Sequence, residues 1–125
     1  MKLEQQVCSL DLAKRLKELG VKQESLYWWN KSVDLETKMA NEDWHVSDNK
    51  RDCCNGNHEP TSAFTVAELG EMLPNDIAEY RENSQWNVLS EKYTKGYVGN
   101  EADARAKMLC YLLENGLITA ETHVG

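Results

Sequence analysis

The strongest constraint on the fold is the segment of residues 100–117, which carries the signals for both ends of a helix. Asn100 can accept hydrogen bonds from the first backbone amides, and acidic side chains follow in the first turn, where the helix dipole favours negative charge. Gly116 can take the left-handed conformation that ends a helix, and Leu112 and Leu117 occupy the two positions whose contact closes such an end. These features serve folding rather than chemistry.

An amphipathic helix is predicted at the N-terminus. Leucines and a valine recur at helical spacing from about Leu3 to Leu19. Gly20 stops this pattern, and Val21 stands where it can contact Leu16, as in the closure of the last helix.

A third helix is predicted in the middle of the chain. Thr65 lies three residues before Glu68, which is the spacing of a capping box, and Phe64 and Leu69 occupy the positions of a hydrophobic staple. Because a proline disfavours helical geometry in the residue before it, the helix is predicted to end just before Pro74.

Strands are predicted between the helices. The aromatic residues within 25–30 favour a strand, and residues 86–89 and 93–98 favour a hairpin whose ends bend at Gly96 and Gly99. Residues 75–84 are polar with a few apolar positions and predict one loose turn of helix.

Residues 31–62 form a polar segment of different character, with residues 43–46 as its short strand candidate. This pattern predicts a loop excursion from the sheet. The order of elements predicts an α+β fold, a small antiparallel sheet with about three helices packed on it as a single pair of layers. With 125 residues, of which 41% are hydrophobic and 28% charged, the whole chain is predicted to be one domain.

The charge of the chain limits its partners. Fourteen basic against 21 acidic residues give a net charge of −7, and proteins that bind duplex DNA gain affinity by neutralising phosphates with basic residues, so nucleic acid is disfavoured. No apolar run approaches the ~18 residues of a membrane span, and no apolar segment of a leader follows Met1. We therefore expect a cytoplasmic protein with reduced cysteines and no membrane association.

The sequence contains no catalytic constellation that we recognise. There is no nucleophile-elbow, phosphate-binding glycine-rich or zinc-protease motif, and the 21 acids offer too many pairs to select one. We expect a protein that is not an enzyme and has no cofactor. One metal-like cluster, Cys53, Cys54 and His58, has adjacent cysteines, whereas zinc sites usually space them by two to four residues, so we predict no structural metal.

An alternative reading concerns the segment from Leu10 to Trp29. An amphipathic helix followed by Leu-Gly-Val and a Ser-Leu-Tyr-Trp run is similar to the start of the helix-turn-helix in MerR-like regulators and phage excisionases, in which a second helix enters the major groove. This is the most basic part of the chain, with Lys14, Arg15, Lys17 and Lys22, although the Tyr-Trp-Trp run favours a strand.

Three blocks together resemble a family of small proteins encoded by bacteriophages and prophage-bearing bacterial genomes. The blocks run from Met1 to Trp29, from Ser62 to Pro74 and from Ala102 to Gly116. The resemblance implies a phage or prophage origin and a cytoplasmic location in a bacterial host, but it brings no activity and no functional residue.

The expected function is therefore that of a small accessory protein that binds a host or phage macromolecule without catalysis. Four Trp and five Tyr against one Phe favour partly buried positions, because these side chains combine an apolar body with a polar edge; such positions line a small sheet or lie at interfaces. A protein partner is expected rather than nucleic acid, and the helix-turn-helix regulator is the alternative.

Overall fold

The computed structural model describes residues 5–33, 40–48 and 60–119, which contain three helices and six strands. In chain order these elements are α1 (Leu10–Glu18), β1 (Tyr27–Val33), β2 (Ala40–Ser47), β3 (Thr61–Ala63), α2 (Val66–Met72), β4 (Ile77–Glu82), β5 (Gln85–Ser90), β6 (Lys95–Gly99) and α3 (Glu101–Glu114). Twice, three strands are followed by a helix.

The strands form two antiparallel sheets of three strands each, in the orders β2-β1-β3 and β4-β5-β6. The predicted α+β class is confirmed, but the prediction of a single sheet is wrong. The two sheets separate because α2 lies between β3 and β4 in the chain, and neither of these strands pairs with the other.

The strand β4 replaces the loose helical turn predicted for residues 75–84, which is a second error. Its six residues pair with β5 in continuous register from Ile77 opposite Ser90 to Glu82 opposite Gln85. The connecting residues Asn83 and Ser84 both have positive φ, 51° and 63°, as a two-residue hairpin turn with the twist of its strands requires.

The first helix is shorter than predicted, because it begins at Leu10 rather than near Leu3. Before it, Val7 forms a β-bridge with Thr65, and the Cys8 amide donates to the Phe64 carbonyl at 3.0 Å. The Ser9 amide then donates to Asp103 Oδ1 at 2.7 Å. These long-range bonds hold residues 7–9 extended. Cys8 was predicted to lie in the helix, and this prediction is wrong. Leu3 lies outside the described residues.

The predicted capping box of α2 and the predicted caps at both ends of α3 are confirmed. Thr65 accepts from the Glu68 amide at 3.2 Å while Glu68 accepts from the Thr65 amide at 2.9 Å, which completes the capping box of α2. Asn100 accepts from the Asp103 amide at 2.8 Å. At the end of α3, Gly116 has φ +67°. The next amide, of Leu117, donates to the carbonyl of Leu112 at 2.9 Å.

The hydrophobic core lies between the helices and the inner face of the second sheet. Three residues from different elements show this, Leu16 of α1, Leu69 of α2 and Val88 of β5, each completely buried. The helix α3 contributes the largest share of the core, with buried side chains at Ala102, Ala104, Ala106, Met108, Leu109, Cys110 and Leu112. Because α3 is buried on most sides, it positions the other elements.

The predicted polar excursion at residues 31–62 contains sheet structure. The strand β1 continues to Val33, β2 contains the predicted short strand, and β3 begins at Thr61. Residues 34–39 and 49–59 of this segment lie outside the described part of the chain. Within the part that is described, no helix has both the length and the apolar character needed to cross a bilayer.

Candidate functional site

A solvent-open groove of about 530 Å³ lies where four separate parts of the chain meet. These parts are the segment before α1, the start of α2, the β4–β5 hairpin and the start of α3. The residues that line it are Gln5, Gln6, Thr65, Val66, Ala67, Arg81, Ser84, Trp86, Asn100 and Glu101. The volume falls within the range of about 300–1,000 Å³ that is typical of ligand pockets.

The sheet wall of the groove is formed by Trp86 and Arg81. Trp86 precedes the fully buried Val88 by two residues, and successive side chains of a strand alternate between faces, so both point to the inner face. Arg81 is opposite Trp86 on β4, and Gly99 is opposite on β6. The indole is partly exposed because the core ends at this edge of the sheet.

The opposite wall consists of the first turn of α2 and the residues before α1. The Val7–Thr65 bridge fixes Gln5 and Gln6 beside the start of α2. Ala67 is small and exposed, which leaves room for a ligand over the helix. Since Thr65 is engaged in its capping box, the polar groups on this wall come mainly from the two glutamines.

Behind the groove, two carboxylates share one guanidinium. Arg105 Nε donates to Glu79 Oε2 at 2.7 Å, and Arg105 Nη2 lies 2.6 Å from the same oxygen. The remaining nitrogen, Nη1, donates to the Val66 carbonyl at 2.7 Å. Glu101 Oε2 is farther away, at 3.4 Å from Nη2. Arg105 is thus committed mainly to Glu79 and α2, and Glu101 receives the weaker share.

This arrangement changes the acidity of Glu101. Burial is the main cause that raises its pKa to about 7, and the adjacent Glu79 raises the pKa further by hydrogen bonding and by repulsion, against an opposite effect of Arg105. Glu79 Oε1 is buried and accepts no hydrogen bond from the part of the chain that the structure describes. The groove therefore contains a carboxyl group that exchanges its proton near neutral pH.

The helix-turn-helix reading of Leu10 to Trp29 is not supported by the geometry of these residues. After α1 the chain has no second helix and enters β1, in which Trp28 is buried. The cations are also engaged: Lys14 Nζ lies 4.9 Å from the Trp44 ring centroid, and Arg15 pairs with Glu114 at 2.7 Å. A recognition helix is absent because the Tyr-Trp-Trp run pairs with β2 and β3 instead.

The metal-like cluster Cys53, Cys54 and His58 lies outside the described residues. Among the residues that are described, no group of three or more His, Cys, Asp or Glu side chains could hold a metal ion. Cys8 and Cys110 are both buried free thiols.

The sequence did not predict that the groove residues form a common site. Trp86 was assigned only to a strand, and Thr65 and Asn100 only to helix caps. Glu101 and Arg105 are four residues apart on one helix face, which is a readable spacing for an ion pair. Nothing local connects Arg105 with Glu79, which lies 26 residues earlier in the chain.

Comparisons of the chain with protein-family models, with curated proteins and with solved structures find no significant match. Function is therefore inferred from the groove and the charges around it.

Proposed function

We propose that this protein is a small phage- or prophage-type accessory protein that acts without catalysis, by binding a segment of another protein in the groove. The partner is a host or phage protein, and the setting is the cytoplasm of a bacterial host. The resemblance of three sequence blocks to small phage and prophage proteins supports the origin. The observation that carries the proposed activity is the groove itself, built from four parts of the chain around the partly exposed indole of Trp86.

The chemistry of the lining supports a peptide as the bound group. A carboxamide can donate to and accept from a peptide backbone at the same time, and the groove presents that of Gln5. Trp and Arg are enriched at the energetic centres of protein interfaces, and Trp86 and Arg81 lie side by side on the sheet wall. Apolar contact is available at Val66 and Ala67 on the helix wall.

A selection from a display library of random peptides tests this proposal. Ala67→Tyr places a large side chain in the groove from an exposed position, and we expect the selected peptides to bind the wild type but not this variant. Glu71→Tyr is the matched control, because it adds the same side chain at an exposed site of the same helix that does not line the groove. Peptides that bind Ala67→Tyr as well as the wild type would show that the groove is not the binding site.

The same pair of variants extends the test to natural partners. A host or phage protein that is retained from infected-cell lysate by the wild type and by Glu71→Tyr, but not by Ala67→Tyr, is the expected result. Retention by all three proteins would place the contact elsewhere on the surface.

A further inference from the structure

We infer that the groove is specific for a basic side chain, an arginine or lysine of the partner segment, whose cation lies against Glu101 beside the Trp86 indole. This inference rests on the proposed function, because it names the chemistry of the ligand for the same groove. It follows from the excess of buried acid over buried base behind the groove.

The first step is the charge balance of the cluster. Glu79 and Glu101 are both mostly buried, with side-chain exposures of 16% and 26%, and they share the single guanidinium of Arg105, which is 21% exposed. The shortest contacts of Arg105 are with the Glu79 carboxylate and the Val66 carbonyl. An ionised Glu101 is therefore only partly compensated by the protein, and it faces the groove.

The second step concerns the other groups near Glu101. On its own helix, Asp103 is turned toward the Ser9 amide and Asn100, and is engaged there. From the sheet, Arg81 lines the same groove, but it is exposed and makes no ion pair with any residue in the described ranges, so solvent screens its charge. The remaining residues that line the groove are uncharged: Gln5, Gln6, Thr65, Val66, Ala67, Ser84, Trp86 and Asn100.

The third step is the nature of the ligand group. A cation placed in a partly buried site beside a carboxylate gains more than the same pair in water, because the local dielectric constant is lower. The indole of Trp86 lies in the same groove, and tryptophan is the best aromatic partner for a guanidinium or ammonium group. The net charge of −7 also favours the approach of a basic partner.

Binding of such a cation is linked to the proton on Glu101. Only the ionised form offers a negative charge that Arg105 compensates in part, and the pKa of Glu101 is about 7 in the free protein. The ionised fraction therefore falls about tenfold from about pH 8 to about pH 6, and the apparent affinity for a cation falls with it.

Two small probes test the inference directly. Blocked arginine (N-acetyl-arginine N-methylamide) carries the cation, and blocked citrulline has nearly the same shape without the charge. Both are titrated into isotope-labelled protein while the indole N–H resonance of Trp86 is followed by NMR at about pH 8 and about pH 6. We expect a saturable shift with blocked arginine that is about tenfold weaker at the lower pH, and a much weaker, pH-independent response to blocked citrulline.

Two variants separate this result from its opposite. Glu101→Gln should remove the preference for arginine over citrulline, whereas Arg81→Gln, which removes a positive charge from the same groove, should strengthen arginine binding. Equal binding of the two probes by the wild type, or loss of arginine binding in Arg81→Gln, would overturn the inference. So would the absence of any saturable shift with blocked arginine up to its solubility limit.

The outcome is distinguishable from failure of the proposed function. If displayed peptides bind in the groove and Ala67→Tyr blocks them, but arginine is not preferred, then only the assignment of a basic ligand is wrong. If neither the peptides nor the probes bind in the groove, both proposals are wrong.

Discussion

Arg105 on α3 holds Glu79 on β4 through two nitrogens of its guanidinium, with Nε at 2.7 Å and Nη2 at 2.6 Å from the same carboxylate oxygen. The third nitrogen donates to the Val66 carbonyl in α2. One side chain therefore connects a helix, a strand and a second helix directly behind the groove.

The capping box of α2 predicts a measurable loss of stability. Thr65→Ala removes the acceptor of the Glu68 amide, and we expect the free energy of unfolding to fall by about 1 kcal/mol. Ser9→Ala is the matched control, because Ser9 is the N-cap of α1 but makes no side-chain cap hydrogen bond. Urea unfolding measures both variants. Equal midpoints for Thr65→Ala and wild type would contradict the assigned start of α2.

Gly70 in α2 leads to the prediction that replacing a helical glycine by alanine lowers, rather than raises, the stability of the fold. Alanine is normally more favourable than glycine inside a helix by about 1 kcal/mol. Here a Cβ at Gly70 would collide with Arg105 Nη1, which is fixed by Val66, so Gly70→Ala should destabilise the protein. In an Arg105→Met background the same change should become stabilising. A double-mutant cycle measured by urea unfolding gives this coupling, and additive effects would rule the collision out.

The raised pKa of Glu101 predicts the direction of a pH effect on stability. Since its folded-state pKa of about 7 exceeds the ordinary value of 4.5, the folded protein binds this proton more tightly than the unfolded chain. The corresponding stability is fully present below pH 4.5 and is lost as the pH rises through 7. The melting temperature should therefore fall less between about pH 5 and about pH 8 in Glu101→Gln than in the wild type. Glu82→Gln, an exposed acid on β4, should retain the wild-type slope.

The buried cysteines predict protected thiols. Burial raises the pKa of Cys8 to about 12 and that of Cys110 to about 11, so neither forms the reactive thiolate near neutral pH. In a Cys53→Ser plus Cys54→Ser variant, which should fold normally even with a chelator, iodoacetamide should modify neither thiol until urea is added. Mass spectrometry detects the modification. Rapid alkylation of the native variant, or zinc bound by the wild type and lost in the variant, would contradict this prediction.

The engaged cations of α1 predict no specific binding to duplex DNA at physiological salt. In α1, Arg15 is already paired with Glu114 and Glu18, and after the helix Lys22 is paired with Glu24. These cations would have to neutralise phosphates against the net charge of −7. A gel-shift assay with phage or host promoter DNA is the measurement. A shift at submicromolar protein that a folded Lys14→Glu plus Arg15→Glu variant abolishes would revive the DNA-binding alternative.

Local signals were sufficient for the helix ends and for several strands. The capping box at Thr65 and the glycine closures at Gly20 and Gly116 involve residues only a few positions apart, so their geometry is encoded in the sequence itself. The hairpin of β5 and β6 was readable for the same reason, since its strands are adjacent and rich in residues that favour strands.

What the sequence by itself determined is therefore the composition of the fold, helices and antiparallel strands of the α+β class in nearly their correct places. Tertiary structure alone decided the rest. The helix α1 starts only after Ser9, whose amide is held by Asp103, 94 residues away, and β4 is a strand because β5 pairs with it. The groove, and the Arg105 guanidinium that Glu79 and Glu101 share behind it, join parts of the chain that no local sequence pattern connects. Such contacts form only when burial brings distant segments together, so their energy depends on the whole core rather than on any short stretch of sequence.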